Sequence, residues 1–353
     1  MKAVTHDKDF FRQRAKDLDH PAMAEAKKHQ DCLTKPAGSL GQLEQLALNF
    51  AAWQGRAYPQ VKTISVVVFA GDHGVCAQGV SAFAQEVTTQ MVANFLAGGA
   101  AISVLSKQLH ADFNVVNAGV AHPLAEHEKL VNTPVALGTA DFSKEAAMSP
   151  TTLFKALRLG SEQVEHGHSD IFIGGEMGIG NTTSASALYS ALLSLSPEES
   201  VGLGTGVDMA GLARKRAIIG QALALHSTRL CDPFETLRCL GGYEITALVG
   251  AYIRCAQRGI PVLVDGFICT AAALVAEKIN PSIRPWLLFA HQSAEPAHTR
   301  ALNYFKASPL LNLGMRLGEG SGAALALPLI QAALELHNKM ATFAQAGVAA
   351  SKG

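Results

Sequence analysis

The chain has 353 residues, 48% of them hydrophobic, which suffices for one large domain or two smaller ones with a sizeable core. Lysine plus arginine equals aspartate plus glutamate at 29 each, so no global charge excess points to nucleic acid or an anionic membrane, and an anion has to be held by a local site. Residues 1–20 are rich in charge and lack the apolar centre of a secretory signal, and no later apolar run reads as long enough to cross a bilayer; a cytoplasmic protein without membrane insertion is expected. Cysteines at 32, 76, 231, 239, 255 and 269 form neither CxxC pairs nor a zinc spacing, so reduced, packed thiols are expected.

In chain order, residues 8–54 read as helices without an intervening strand. Within them "KPAGSLGQLEQLAL" (35–48) is a turn and a helix, with Ser39 and Gln42 at capping-box spacing and Lys35 available to a substrate carboxylate. Short β-branched or apolar runs then recur at 64–74, 113–119, 170–178, 260–266 and 286–293, each ending in glycine or a polar residue. They are apolar on both alternating faces, as strands of a parallel sheet covered on both sides must be. Stretches of helical spacing lie between them at 86–109, 152–167, 182–195, 211–228, 243–258 and 268–278, and residues 321–343 form a further helix. Strand and helix alternate, which predicts an α/β fold: a mainly parallel, Rossmann-like open sheet flanked by helices, with a small helical subdomain built from the two termini. The expected partition is 1–60 for the amino-terminal helices, 61–310 for the sheet domain and 311–353 for a carboxy-terminal loop and helix.

Ligands in such sheets sit beyond the carboxyl ends of the strands, and Asp72, His73, Asn117, Glu176, Asp265 and His291 all fall there. Asp72 and His73 suggest metal only weakly, since no nearby pattern supplies further ligands; a strand-end hydrogen bond accounts for them. "GGEMGIGNTT" (174–183) is a strand, a glycine-rich turn and a helix start, where free N–H groups and the dipole favour an anion such as a phosphate. A tight βα turn capped by Asn181 satisfies the same letters. The segment is neither a Walker loop nor a dinucleotide fingerprint, and an ionised Glu176 would repel a phosphate beside it. "VGLGTGVD" (201–208) is a second glycine-rich loop, followed by Arg214, Lys215 and Arg216, of which one can reach the anion or all can face solvent. Phe83, in a loop between alanines, and Met91 suit a flat apolar ring, with core packing the alternative for Met91. Glu319 stands between Gly318 and Gly320 just before an apolar helix. A carboxylate there gains from the helix dipole, but capping requires none of Gly318, Gly320 and Gly322, whereas close approach of a bulky ligand does.

Taken together, "KPAGSLGQLE", "AGDHGV", "GVSAFAQEVT", "NFLAGGAAI", "GGEMGIGNTTSA", "GTGVD", "VLVDGF" and "MRLGEGSGAALALP" resemble the nicotinate-nucleotide:dimethylbenzimidazole phosphoribosyltransferase family over roughly residues 30 to 340. The resemblance implies a homodimeric enzyme of cobalamin assembly that converts nicotinate mononucleotide and 5,6-dimethylbenzimidazole to α-ribazole 5′-phosphate and nicotinate, with no metal and no cofactor. It implies Glu319 as general base, a catalytic place for Glu176, and Glu176 and Ser293 against the ribose or nicotinate. Gly178, Gly180, Asn181, Thr182 and Thr183 would hold the phosphate, with Gly204, Thr205 and Gly206 as a second wall and Lys215 as a cation. Phe83, Gln90, Met91 and Leu317 would line the benzimidazole site. Burial and the helix dipole push the pKa of Glu319 in opposite directions, and the sequence leaves the sign open. Three departures from the family pattern stand out, one of them Ala37 where the family often has a second proline, which gives a looser turn. Ala210 occupies the place of a lysine found in some members, so Arg214 or Lys215 takes over its role or the role is absent, and "SAFAQE" replaces "SAYPQE" at Phe83 and Ala84. Other acceptors (adenine, another benzimidazole, a phenol) and a non-catalytic phosphate-ligand binding protein are the alternative readings.

Overall fold

The computed structural model describes residues 2–165, 169–202 and 209–349. The chain begins with three helices, α1 (Lys2–Arg12), α2 (His20–Cys32) and α3 (Gln42–Gln54). Next come β1 (Ile64–Gly71), α4 (Glu86–Ala97), α5 (Ala101–Gln108), β2 (Asp112–Gly119), β3 (Leu130–Val131) and α6 (Pro150–Glu162). The second half of the sheet starts with β4 (Ile171–Met177), followed by α7 (Asn181–Leu193), α8 (Pro197–Ser200), α9 (Met209–His226), α10 (Pro233–Leu240) and α11 (Tyr243–Arg258). It continues through β5 (Val262–Val264), α12 (Phe267–Ile279), β6 (Leu287–Phe289), α13 (Pro296–Phe305), α14 (Ser321–Lys339) and α15 (Phe343–Ala346).

The six strands are parallel and lie in the order β3-β2-β1-β4-β5-β6. Strand order reverses at the β1/β4 pair, where crossover helices leave to opposite sides and a crevice opens beyond the carboxyl ends. β1 and β4 are buried almost throughout, because helices cover both faces. The expected parallel α/β sheet is therefore present, with the two-residue strand β3 as an edge the sequence reading did not include.

Helix boundaries follow local chemistry. Ser149 opens α6 through a capping box with Thr152, with proline at the first helical position, and Asp19 accepts the Ala22 N–H at 2.8 Å ahead of α2. The expected single helix over 86–109 is two, because Gly98 adopts φ 82° and closes α4 with a left-handed cap before α5 starts. By length and composition alone Glu86–Gln108 reaches a mean hydropathy of 1.3, enough to qualify as a candidate membrane span, although Thr88, Thr89, Gln90, Asn94, Ser103 and Ser106 interrupt its apolar run. In the fold the segment is broken at Gly98, with α4 packed on β1, β2 and β4 and α5 on β2. The expected Ser39–Gln42 capping box is absent: Gly41, at φ 55°, precedes α3 without a side-chain cap. Glu44 instead reaches back to the Leu40 N–H at 3.1 Å and pairs with Lys35 at 2.9 Å. That ion pair, largely buried, occupies the lysine that the sequence left free for a substrate carboxylate.

At the chain ends, α3 packs against both α2 and α14. On one face of the sheet α6 and α11 approach so closely that a methyl group on Gly160 or Gly250 would overlap the backbone of the facing helix, at Ala247 and Leu157 respectively. This contact fixes α11, whose first turn carries the buried Glu244 toward the crevice. Gly250→Ala is therefore expected to cost about 1–3 kcal/mol, as overpacking does, read as a lower urea midpoint. Gly220→Ala on α9, where an added methyl would meet only Pro197 at 3.8 Å, should instead raise stability by about 0.5–1 kcal/mol.

Candidate active site

A cavity of about 420 Å³ opens beyond the carboxyl ends of β4, β5 and β6. Its floor is made of Glu176, Asp265 and His291, each at or just past the end of its strand, which a parallel sheet brings to one rim. Asp72 and His73, at the end of β1, lie one layer deeper and do not line it. His73 Nε2 meets Glu244 Oε1 at 2.7 Å with both side chains fully buried. Burial lowers the His73 pKa, but the charge and hydrogen bond of Glu244, helped by Asp72, outweigh it and hold the pKa above the usual range.

One end of the cavity is cationic. Gly180 adopts φ 97° and opens α7, so Asn181 and Thr182 stand at the positive end of its dipole. Lys215 reaches in from α9 and donates to Thr182 Oγ1 at 3.0 Å. Burial lowers the Lys215 pKa, partly offset by the nearby Glu295. Arg214, the other candidate cation, turns away and donates to the Gly79 carbonyl at 3.0 Å. Asn181 is not the helix cap; its side-chain amide donates to Glu176 Oε2. Burial, with the charges of Glu244, Asp265 and Glu319, pushes the Glu176 carboxyl well above the normal range. A neutral Glu176 removes the repulsion toward an anion that its place in the turn would otherwise create.

The loop 318–320 carries Glu319 into the same cavity. Gly318, Glu319 and Gly320 are consecutively left-handed, at φ 88°, 66° and 89°, and such a conformation costs a glutamate about 1–3 kcal/mol. The surroundings enforce it. A methyl group on Gly318 would overlap the Glu176 carboxylate, and one on Gly175 of β4 would overlap the Glu319 carbonyl. These glycines thus let the loop press on the strand; their reason is intramolecular packing rather than the ligand approach expected from the sequence.

The start of α14 is capped by another residue. Asp265 accepts the Gly320 N–H at 3.3 Å and the Ala323 N–H at 2.8 Å. Glu319 is therefore free of that duty, and its Oε2 accepts the Ile102 N–H at 3.3 Å, in the first turn of α5. The residue is 6% exposed; burial raises the pKa, the Ile102 N–H lowers it, the charge of Asp265 raises it, and the net direction is upward. The sign left open by the sequence is thus positive.

The opposite wall is apolar. Phe83 and Leu317 are 49% and 55% exposed at its edge, and Val87 and Met91, one turn apart on α4, line it from within. Such large exposed apolar side chains beside a cavity are a surface waiting for a ligand.

Of the residues singled out in the sequence, Phe83, Met91, Glu176, Gly178, Gly180, Asn181, Thr182, Lys215, Ser293, Leu317 and Glu319 line this one cavity. Gln90 does not; it is exposed on α4, outside the wall, because the cavity-facing positions of that helix are 87 and 91. Thr183 is fully buried inside α7, also outside the wall. Gly204, Thr205 and Gly206 lie outside the described residues. Asp265 and His291 were placed on the rim by sequence but given no task, and they stand 3.6 Å apart beneath Glu319. Burial raises the Asp265 pKa against His291 and three backbone N–H groups. Glu295 and Arg316, also at the cavity, carried no sequence signal beyond their charge.

The family model described as a phosphoribosyltransferase matches residues 15–348. A relative from Pseudomonas putida (strain F1), named nicotinate-nucleotide–dimethylbenzimidazole phosphoribosyltransferase, is 52% identical over 343 residues, covering 96% of this chain and 98% of the relative. A relative of the same name from Azotobacter vinelandii is 53% identical over 345 residues, covering 97% and 98%. The crystal structure of CobT from Thermus thermophilus superimposes with a TM-score of 0.89 at 44% identity, covering 94% of this chain and all of that one. A match of this extent, in sequence and in fold alike, means that the chain belongs to the phosphoribosyltransferase family.

Proposed function

We propose that the protein transfers the ribose 5-phosphate of nicotinate mononucleotide to 5,6-dimethylbenzimidazole, giving α-ribazole 5′-phosphate and nicotinate, in the building of the lower ligand of cobalamin. The observation that carries this reading is the juxtaposition, in one cavity, of a cationic helix start, an apolar wall and a buried carboxylate that the start of α14 does not use and that is held by one N–H, from Ile102. The 5′-phosphate sits at the start of α7 with Lys215 and Thr182, and the flat heterocycle lies between Phe83, Met91 and Leu317. Glu176, held by Asn181, and Ser293 face the ribose.

One ring nitrogen of the benzimidazole attacks the anomeric carbon from the face opposite nicotinate. Its other nitrogen loses a proton to Glu319 as the new bond forms. The bond to nicotinate breaks with its electron pair passing to the pyridinium nitrogen, which becomes neutral and needs no proton. Displacement from the far face turns a β linkage into an α linkage. Alignment of the two reactants supplies much of the rate. The raised pKa of Glu319 makes it a stronger base than an exposed glutamate once ionised.

We infer further that the protein works as a homodimer: Leu325 and Leu329, one turn apart on α14, and Val104 on the neighbouring α5 are exposed apolar side chains that a second copy would cover. A charged nucleotide substrate that does not cross membranes unaided places the reaction in the cytoplasm. The segments 1–60, 61–310 and 311–353 would then divide the labour as helical support, sheet-borne cavity and base-bearing loop.

Purified protein with both substrates should release nicotinate, and Glu319→Gln should lower kcat by about 10²- to 10⁴-fold, the range for loss of a general base. No release by the unaltered protein would favour a ligand-binding role instead. The acid limb of the pH–rate profile should lie above the ordinary glutamate range, because the base works only when ionised and its folded pKa is raised; the limb should vanish in Glu319→Gln. Lys215→Met should raise KM for nicotinate mononucleotide about 10- to 100-fold, as expected for a lost charge-assisted hydrogen bond, with KM for the benzimidazole far less affected.

A further inference from the structure

Thr88 is the third residue of α4 and has no exposed surface. Threonine in a first helical turn ordinarily turns back to its own backbone, yet this hydroxyl reaches across to the sheet. It donates to Asp72 Oδ1 at 2.6 Å and accepts the Ile179 N–H at 3.1 Å. Asp72 is itself fixed, since its other oxygen accepts the Ala121 N–H at 2.9 Å and its carbonyl accepts the Thr139 N–H at 3.0 Å. Ile179 lies in the turn between Gly178 and Gly180 that opens α7, and its carbonyl accepts the Cys76 thiol at 3.0 Å. Both backbone groups of this residue are thus tied to the segment that leaves β1 and enters α4. The same segment carries the acceptor wall: Phe83 in its loop, Val87 beside Thr88, and Met91 one turn on. Gln85 pins the loop from the other side by donating to the His73 carbonyl at 2.9 Å.

The two walls of the cavity belong to different crossovers, one following β1 and the other following β4. The strands themselves place these crossovers only to within the freedom of their connecting loops. A hydroxyl that both donates and accepts can lock the two at a fixed distance, because either half of the bridge sets the other's direction. We propose that Thr88, held by Asp72, is a positioning residue that keeps the acceptor wall in register with the phosphate turn, so that the attacking nitrogen and the anomeric carbon meet in line. It touches neither substrate. The inference rests on the transfer reaction proposed above.

Thr88→Val keeps the shape but leaves the Ile179 N–H without its acceptor and Asp72 Oδ1 without its donor. Each half-site remains whole, so the separate affinities for nicotinate mononucleotide and for dimethylbenzimidazole, measured by calorimetry, should stay within about threefold. Misalignment should show in kcat, which should fall about 10- to 100-fold, and Thr88→Ser, which restores the hydroxyl, should recover most of it. An unchanged kcat in Thr88→Val, a parallel loss of both separate affinities, or a serine variant no better than valine would each overturn the proposal. Should Thr88→Val fail to fold, Asp72→Asn tests the same bridge, with reduced kcat at retained affinities supporting it and unaltered kcat overturning it. Nicotinate release by the unaltered protein is the control: its absence would sink the transfer reaction itself, whereas its presence with a fully active Thr88→Val would sink only the bridge.

Discussion

The site depends on Asp265 accepting two backbone N–H groups at the start of α14. A helix beginning at Ser321 needs an anion near its exposed amides, and the nearest carboxylate in the chain is Glu319, two residues away. With Asp265 supplied from the end of β5, the helix is satisfied from across the fold. Glu319 can then take a left-handed conformation that no capping residue would need, and its carboxyl enters the cavity. The strain is contained by close contact between the loop and β4, where Gly175 and Gly318 leave no room for movement.

The second constraint is electrostatic. Glu176, Glu244, Asp265 and Glu319 crowd the strand ends, with His73, His291 and Lys215 as nearby cationic or ionisable partners. Burial raises the pKa of Glu176, Asp265 and Glu319, and repulsion from neighbouring carboxylates adds to it at Glu176 and Glu319. Such acids bind protons more tightly in the folded chain than in the unfolded one. Stability therefore falls as pH rises from the ordinary carboxylate range through the raised values, and at neutral pH the cluster works against folding. The raised pKa of Glu176 favours its neutral form and so weakens repulsion toward a phosphate, while that of Glu319 makes its ionised form a better base. The large alanine-rich core of α7, α11 and α12 offsets the cost elsewhere.

The cavity is assembled from two crossovers that meet where strand order reverses. The phosphate end comes with α7 and α9, the apolar wall with α4, and the base with the loop before α14. No two of these are adjacent in sequence, so their alignment rests on a few buried polar bridges and on backbone contact through glycine.

The sheet was legible because β1, β2 and β4 are largely apolar and end in or run directly into glycine, and the phosphate turn because Gly178 and Gly180 precede a polar helix start. Glu319 stood out between glycines and was supported by family resemblance. Sequence pattern failed where the geometry of a single residue or a local side-chain pairing overrode it. Gly98 divides a helix whose spacing runs on, Glu44 folds back onto the Gly38 and Leu40 N–H groups where a Ser39 cap was expected, and Lys35 is spent in an ion pair. Gln90 and Met91 are neighbours in sequence, and only the packing of α4 decides which one faces the cavity. The sequence by itself determined five of the six strands, where their polar ends fall and which turn suits an anion, because these depend on local pattern and backbone freedom. The tertiary structure alone decided that Asp265 caps α14, that Glu319 is thereby released from that helix and held at the Ile102 N–H with a raised pKa, and that Thr88 bridges two crossovers. Each of these is set by groups brought together from distant parts of the chain.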